Sequence, residues 1–267
     1  MPSNDPKQGS IYSRSFRLAR ICAGVISRHP HLLLAHALSL CGTGFAIWMF
    51  LPPFQLGTHG SLAQLFTASV ALLIAIWFSI LLGSVCLIAC VQKILDGRKP
   101  SLTEGFCVAL TRIPKLIGWM VIVVFWGIPL TVIHGILDRV SSVSGFLFGF
   151  GSSFWWGLAT YFTIPLMTIE NMGPIDAMRA SSNLAERSWV QEVQGGVALG
   201  FVLIVVAIPS ILLMGIPSAG YYLPALSLFL ILLAYGVASS IYQTALYRFA
   251  NTGEVPQCFE SVFAPEA

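Results

Sequence analysis

The long apolar runs of this sequence contain no acidic, Lys or Arg residue, so few side chains there are of types that perform chemistry. His36 and His134 are titratable, and an imidazole can relay protons or bind a metal. Neither is spaced with a carboxylate or a cysteine, so we interpret both as packing or interfacial residues. Cys86 and Cys90 share a helix face at a spacing of four. Because no histidine or carboxylate lies beside them, packing is favoured over a metal site.

The stretch from Tyr161 to Ser181 is a second candidate site, because an apolar helix is expected to end there and a polar one to begin. Glu170 can cap the free N–H groups of the helix that Pro174 opens, or it can pair with an arginine such as Arg179. Acid–base catalysis would need a second positioned group, which the spacing does not supply. We predict no catalytic residue. Junction and capping roles are predicted for Glu170, Asn171, Gly173 and Pro174.

The composition indicates an integral membrane protein. Of the 267 residues, 56% are hydrophobic and 9% are charged, and the mean hydropathy is +0.82. Soluble domains carry about 25% charged residues, so this chain cannot cover itself with a water-facing surface. The net charge of +3 is explained by the basic segments that connect the apolar runs on one side of the membrane. Neither nucleic acid nor a cofactor or metal is predicted.

The apolar runs predict an all-α integral membrane fold with six transmembrane helices arranged as three hairpins. Each hairpin is expected to follow a cytoplasmic amphipathic helix that lies at the membrane interface. The predicted spans are residues 31–51, 65–92, 116–137, 143–169, 196–216 and 222–247, and the predicted interfacial helices are residues 10–29, 101–112 and 174–194. Residues 1–250 would form one membrane domain and residues 251–267 a cytoplasmic tail. A genuine threefold repeat and the ordinary periodicity of hairpins both fit this pattern.

The distribution of positive charge predicts the orientation. Of the 14 Lys and Arg residues, 13 fall on one side of a six-span arrangement, and Arg139 is the exception. Positively charged loops normally stay in the cytoplasm. Both termini are therefore expected to be cytoplasmic.

The first amphipathic helix carries a basic stripe opposite an apolar one. Lying among headgroups, it would turn its arginines towards anionic lipid; packing on the chain's own spans is a compatible alternative. The predicted headgroup residues are Arg14, Arg17, Arg20 and Arg28. In the second amphipathic helix, Ser101 and Glu104 have the spacing of a capping box.

Small residues recur every four positions in the fourth predicted span, a pattern that lets transmembrane helices approach closely. They are Gly145, Gly149, Ser153 and Gly157, and Gly196 with Gly200 repeats the spacing in the fifth span. Packing between spans of one chain and an interface between subunits both fit this pattern.

The junction also resembles the signature of an uncharacterised family of bacterial six-span membrane proteins. The matching residues are Thr160, Phe162, Pro165, Glu170, Gly173, Pro174, Ala177 and Ser181, and residues 13–19 and 101–119 fit as well. That family is similar to the membrane domain attached to some glycerophosphodiester phosphodiesterases, but no hydrolase domain is recognisable here. The resemblance covers the chain to about Met214. It implies a multi-pass protein of the bacterial inner membrane, and no established activity.

These observations lead to two main functional expectations. The first is a non-enzymatic membrane protein that assembles with itself or with partner proteins, as a scaffold or a passive pore. The alternative is transport or binding of a lipid or small solute in a groove between hairpins, which prolines inside three spans would favour: Pro129, Pro165 and Pro209. A lipid enzyme that uses Glu170 is a third possibility.

Overall fold

The structure, a computed structural model, describes residues 11–50, 62–214, 222–256 and 259. In these ranges the chain forms helices and no strand. In chain order the helices are α1 (Ile11–Arg28), α2 (His31–Phe50), α3 (Leu62–Leu95), α4 (Leu102–Thr111), α5 (Ile113–Val140), α6 (Ser142–Thr160), α7 (Thr163–Ile169), α8 (Pro174–Met214) and α9 (Tyr222–Thr252). Parts of the predicted N-terminal helix, of two predicted spans (31–51 and 196–216) and of the C-terminal tail lie outside the described residues.

Five of the described helices contain segments long and apolar enough to cross a membrane. The segments are His31–Met49, Thr67–Leu95, Ile113–Val140, Gly195–Leu213 and Tyr222–Thr252. Each has about the 20 apolar residues that a bilayer core of roughly 30 Å requires. They indicate a helical, multi-pass membrane protein, in agreement with the predicted class.

The predicted fourth span, residues 143–169, is not one continuous helix. It is divided into α6 and the seven-residue α7, with Tyr161 and Phe162 in a turn between them. Pro165 gives the physical reason. It lacks the N–H that would bond the Tyr161 carbonyl one turn earlier, and its ring crowds that carbonyl.

The predicted interfacial helix 174–194 and the span predicted from residue 196 form a single helix, α8, of 41 residues. Tyr242 of α9 packs on this helix where the two segments were expected to separate. A Cβ on Gly195 would lie 2.0 Å from Cζ of Tyr242, and the Tyr242 hydroxyl donates a 2.5 Å hydrogen bond to the Gln191 carbonyl. The glycine therefore admits a neighbouring ring and does not end the helix.

The core lies where α3, α7 and α9 meet. Leu87, Phe162, Leu166, Ile241 and Leu246 are among its fully buried side chains. The short α7 thus contributes to the centre of the molecule, and α2, α8 and α1 pack around it. Burial of such side chains stabilises each by about 1.5–3 kcal/mol relative to exposure to water.

Small residues allow α2 and α3 to approach closely. The Ser39 hydroxyl donates a 2.7 Å hydrogen bond to the Ser79 carbonyl. A Cβ on Gly83 would lie 2.4 Å from the Ser39 Cβ. This contact holds the first two apolar helices of the chain together.

The outer parts of α5 and α6, residues 121–157, stand apart from the core and are named the arm. Between Val121 and Gly157, Gly145 is the one buried residue. Phe125 is 73% exposed, whereas Trp119 and Leu158, just beyond the two ends of the arm, are buried. The arm is therefore joined to the core at one end only.

Candidate functional site

The predicted junction lies in the core, at the break between α6 and α7. The break leaves two backbone groups without helical partners, and side chains of other helices satisfy both. Nε2 of Gln243, in α9, donates a 2.5 Å hydrogen bond to the Tyr161 carbonyl. The Phe162 N–H donates a 3.0 Å hydrogen bond to Oγ of Ser181, in α8. Such partners permit a broken helix within a membrane protein, because an unsatisfied backbone group is costly there.

The end of α7 is stabilised by two cations that precede or begin α5. Asn171 has a φ of 57°, in the left-handed region that asparagine tolerates better than most residues. Nζ of Lys115 donates to both the backbone and the side-chain oxygen of Asn171. The Arg112 guanidinium donates a 3.4 Å hydrogen bond to the Thr168 carbonyl. Cations at a helix C-terminus compensate its free carbonyls and complement its dipole.

The Glu170 carboxylate binds α9, which differs from both interactions expected of it. Its Oε1 accepts a hydrogen bond from the Tyr247 hydroxyl and another, of 3.0 Å, from Nδ2 of Asn251. Tyr247 is 3% exposed, so its hydroxyl depends on this acceptor. Within the described chain, Glu170 neither caps the helix that Pro174 begins nor pairs with Arg179. It joins the end of α7 to the end of α9.

Ion pairs connect further helix ends near this junction. Arg248 of α9 pairs with Asp96, just after α3, at 2.8 Å and with Glu254 at 3.4 Å. Lys93 of α3 pairs with Glu104 of α4. Partly exposed pairs of this kind contribute about 0–1 kcal/mol each. They orient the helix ends more than they stabilise the fold.

The expected capping box at the start of α4 is not formed. Ser101 occupies the N-cap position but makes no side-chain capping hydrogen bond. The Glu104 side chain is engaged by Lys93 of the preceding helix. A tertiary ion pair has thus replaced the local interaction that the spacing predicted.

Sequence reasoning did not identify Gln243, Tyr247 and Asn251, three of the side chains that bond the junction. They are spaced four residues apart in α9. Side chains at this spacing lie on the same helix face. The available signal was therefore a polar stripe near the end of an otherwise apolar helix.

The first half of the predicted small-residue ladder packs within the chain. A Cβ on Gly145 would lie 2.8 Å from Cα of Asp138, and one on Gly149 would lie 2.7 Å from Cδ2 of His134. These glycines let α6 lie directly against α5. The structure thus places them in the packing of one chain.

The other predicted packing positions are open. Apart from the adjacent backbone and chain neighbours in its own helix, no described atom lies within 4 Å of the Cβ position at Gly157, Gly196 or Gly200. Ser153 is exposed on the arm. Their role in packing stays a prediction, and the space beside them is available to a lipid or another protein.

Three of the four predicted headgroup arginines have exposed side chains on α1: Arg17, Arg20 and Arg28. The Arg14 side chain lies outside the described side chains. Leu18 and Cys22, on the opposite face, are buried against α8 and α9. Packing of α1 on the chain's own helices is observed, and its contact with anionic lipid stays a prediction.

The Cys22 thiol is buried where α1 packs on α8 and α9. Burial raises the pKa of the Cys22 thiol to about 12, so that thiol remains protonated at physiological pH. No group of three or more His, Cys, Asp or Glu side chains in the described ranges is arranged to hold a metal. The arrangement as a whole is suited to holding helix ends together.

These features define the protein as a helical membrane protein with several spans and a broken helix in its core. The chain belongs to a family of unknown function (DUF6159), which matches residues 62–257. The match confirms an uncharacterised family; it begins with α3 and extends beyond Met214. No curated protein and no solved structure matches the chain.

Proposed function

We propose that the protein is a non-enzymatic, self-assembling protein of a bacterial inner membrane. In this proposal α6 joins the five long apolar helices as a sixth span, giving three hairpins with both termini in the cytoplasm. The polar contacts around Glu170 and Arg248 then form a cytoplasmic belt, in keeping with the positive-inside rule. The likeness to the membrane domain of some glycerophosphodiester phosphodiesterases belongs to the proposal as a likeness of fold alone.

The observation that supports self-assembly is the exposure of the arm. A helix pair that faces lipid on most sides makes few packing contacts with the rest of its own chain. A second copy of the chain would supply such contacts. The arm also carries an open notch of about 670 Å³, partly lined by Thr131, His134, Ser152 and Ser153. The Thr131 and Ser152 hydroxyls donate to carbonyls of their own helices, whereas His134 is a titratable side chain, a type that normally faces protein or water in a membrane. A second copy that covers the notch would remove the His134 imidazole from lipid.

The contacts of the charged side chains support a role without catalysis. Glu170, Lys115 and Arg248 each bind the end of another helix or the segment beside it. Their hydrogen bonds are used to hold the fold together. The same contacts would keep the core rigid while the arm engages another molecule.

Cysteine cross-linking in native membranes tests the proposed interface. Ser153→Cys places a thiol at the notch, and Leu38→Cys places one on the surface of α2, where Leu38 is 61% exposed. In a background without the native cysteines, a short bis-maleimide is expected to join two copies through Ser153→Cys but not through Leu38→Cys. Equal cross-linking of the two variants, or none in either, would contradict an interface at the arm.

Lipid or small-solute binding between hairpins is the second candidate function. A groove of about 540 Å³ lies between α6 and α8, with Phe154, Leu158 and Ser182 among its lining residues. Its volume is in the range of about 300–1,000 Å³ that is typical of ligand pockets. Proteoliposomes of the purified protein test transport directly. If neither lipid nor solute moves, the groove does not serve as a transport path.

A further inference from the structure

The groove between α6 and α8 is lined by aromatic side chains and by one carboxylate. Trp155 is 69% exposed, and its ring lies edge-on to that of Phe154, with centroids 5.8 Å apart. Leu158 of α6 and Ala185 of α8 line the groove as buried side chains. Glu186 of α8 also lines it and is exposed.

The two helices run in opposite directions along this groove. The Ser182 hydroxyl donates a 3.4 Å hydrogen bond to the Ala159 carbonyl, and Ser181 accepts the bond of the Phe162 N–H. In this register Trp155 precedes Ala159 by about one turn of α6, and Glu186 follows Ser182 by about one turn of α8. The two side chains therefore line the groove at the same level.

We propose that this groove binds a membrane lipid with an ammonium headgroup. The ammonium pairs with the Glu186 carboxylate, and the exposed face of Trp155 attracts the same cation. The hydrocarbon chain then lies on the apolar side chains of Phe154 and Leu158. This inference rests on the second candidate function, lipid binding between hairpins, and gives it a ligand class.

Charge complementarity selects this lipid class over an anionic lipid without an ammonium. An anionic lipid without an ammonium would bring its phosphate towards the Glu186 carboxylate with no cation between the two negative charges. A phospholipid with an ammonium also carries a phosphate, and exposed Arg179 offers a partner for it. Arg179 lies three residues before Ser182 and seven before Glu186 in α8, so it shares their helix face. The carboxylate and the guanidinium supply charges of both signs on one helix face, as a zwitterionic headgroup requires.

Lipid retention measured by native mass spectrometry tests the proposal. The protein is placed in nanodiscs with equal amounts of phosphatidylethanolamine and phosphatidylglycerol, and the lipids that stay bound after release are identified. Wild-type protein is expected to retain the ethanolamine lipid about fivefold in preference to the glycerol lipid. Glu186→Gln is expected to bring this ratio close to one. Glu254→Gln, a matched change outside the groove, should leave the ratio unchanged.

Trp155→Leu provides a second variant that keeps an apolar side chain in the groove but removes the aromatic face. It is expected to lower the preference partially while both lipids remain bound. Retention of both lipids in equal amounts by wild-type protein would overturn the ammonium proposal and leave lipid binding itself intact. If no lipid is retained, both the ammonium proposal and lipid binding in the groove are overturned. An unchanged ratio in Glu186→Gln would also overturn the assignment to this groove.

Discussion

Ser181→Ala is predicted to weaken the break between α6 and α7. The Ser181 hydroxyl accepts a 3.0 Å hydrogen bond from the Phe162 N–H, and both residues are 0% exposed. Alanine removes the acceptor and leaves a buried N–H without a partner, which costs about 1–3 kcal/mol. A loss of about 2 kcal/mol lowers the folding equilibrium constant roughly 30-fold.

Reversible unfolding in mixed micelles measures this loss, with helix content followed by circular dichroism as denaturing detergent is added. Ser84→Ala, in α3, is the matched control. The Ser84 hydroxyl is partly exposed and donates to the Ile80 carbonyl of its own helix at 2.9 Å, a local bond that adds little to helix stability. Replacing this serine with alanine is expected to lower the free energy of unfolding by less than about 0.5 kcal/mol. Equal free-energy losses for the two variants would refute the proposed role of Ser181.

Three further predictions concern the junction, a buried thiol and the orientation. Tyr247→Phe should lower the free energy of unfolding by about 1.5–3 kcal/mol, because it removes a hydrogen bond to a charged group. A double-mutant cycle with Glu170→Gln should show coupling between the two residues. Additive losses in the cycle would contradict the contact. Cys22, with its raised pKa of about 12, should resist maleimide at pH 8 while exposed Cys107 reacts; rapid labelling of Cys22 would count against its burial. A thiol placed by Ser142→Cys should label from outside intact cells, whereas native Cys107 should not, and the reverse would invert the topology.

Helix type and approximate length were predictable because few alternatives exist for long apolar runs in a membrane. Such a run must satisfy its backbone groups internally, which favours a helix. The second predicted span, residues 65–92, lies within α3, Leu62–Leu95. The helix exceeds the predicted span by three residues at each end, and each extension includes one polar residue, Gln64 or Lys93.

The partners of the helix break were not predictable from local sequence. Pro165 indicated a disturbance in the helix, but its consequence depends on side chains that can satisfy the freed groups. Gln243, which binds the Tyr161 carbonyl, is 82 residues away along the chain. Glu170 likewise meets Tyr247 and not a neighbour in sequence. Tertiary packing determined both contacts.

The arm could not be recognised from composition. An apolar side chain has the same sequence signal whether it faces lipid or another helix, because lipid tails are as apolar as leucine. Phe125 and Leu87 both belong to apolar runs, yet Phe125 is 73% exposed and Leu87 0%. The small-residue ladder allowed packing within a chain or between chains. The structure places its first half, Gly145 and Gly149, within the chain.

The mass of the complex released from lipid nanodiscs, measured by native mass spectrometry, tests self-assembly through the arm most directly. We predict a closed homo-oligomer whose mass, after subtraction of bound lipid, is a whole multiple of 28.9 kDa. Ser153→Trp should fill the notch and reduce the complex to monomers, while Leu38→Trp on α2 should leave it intact. A wild-type monomer, or an oligomer unaffected by Ser153→Trp, would contradict assembly through the arm.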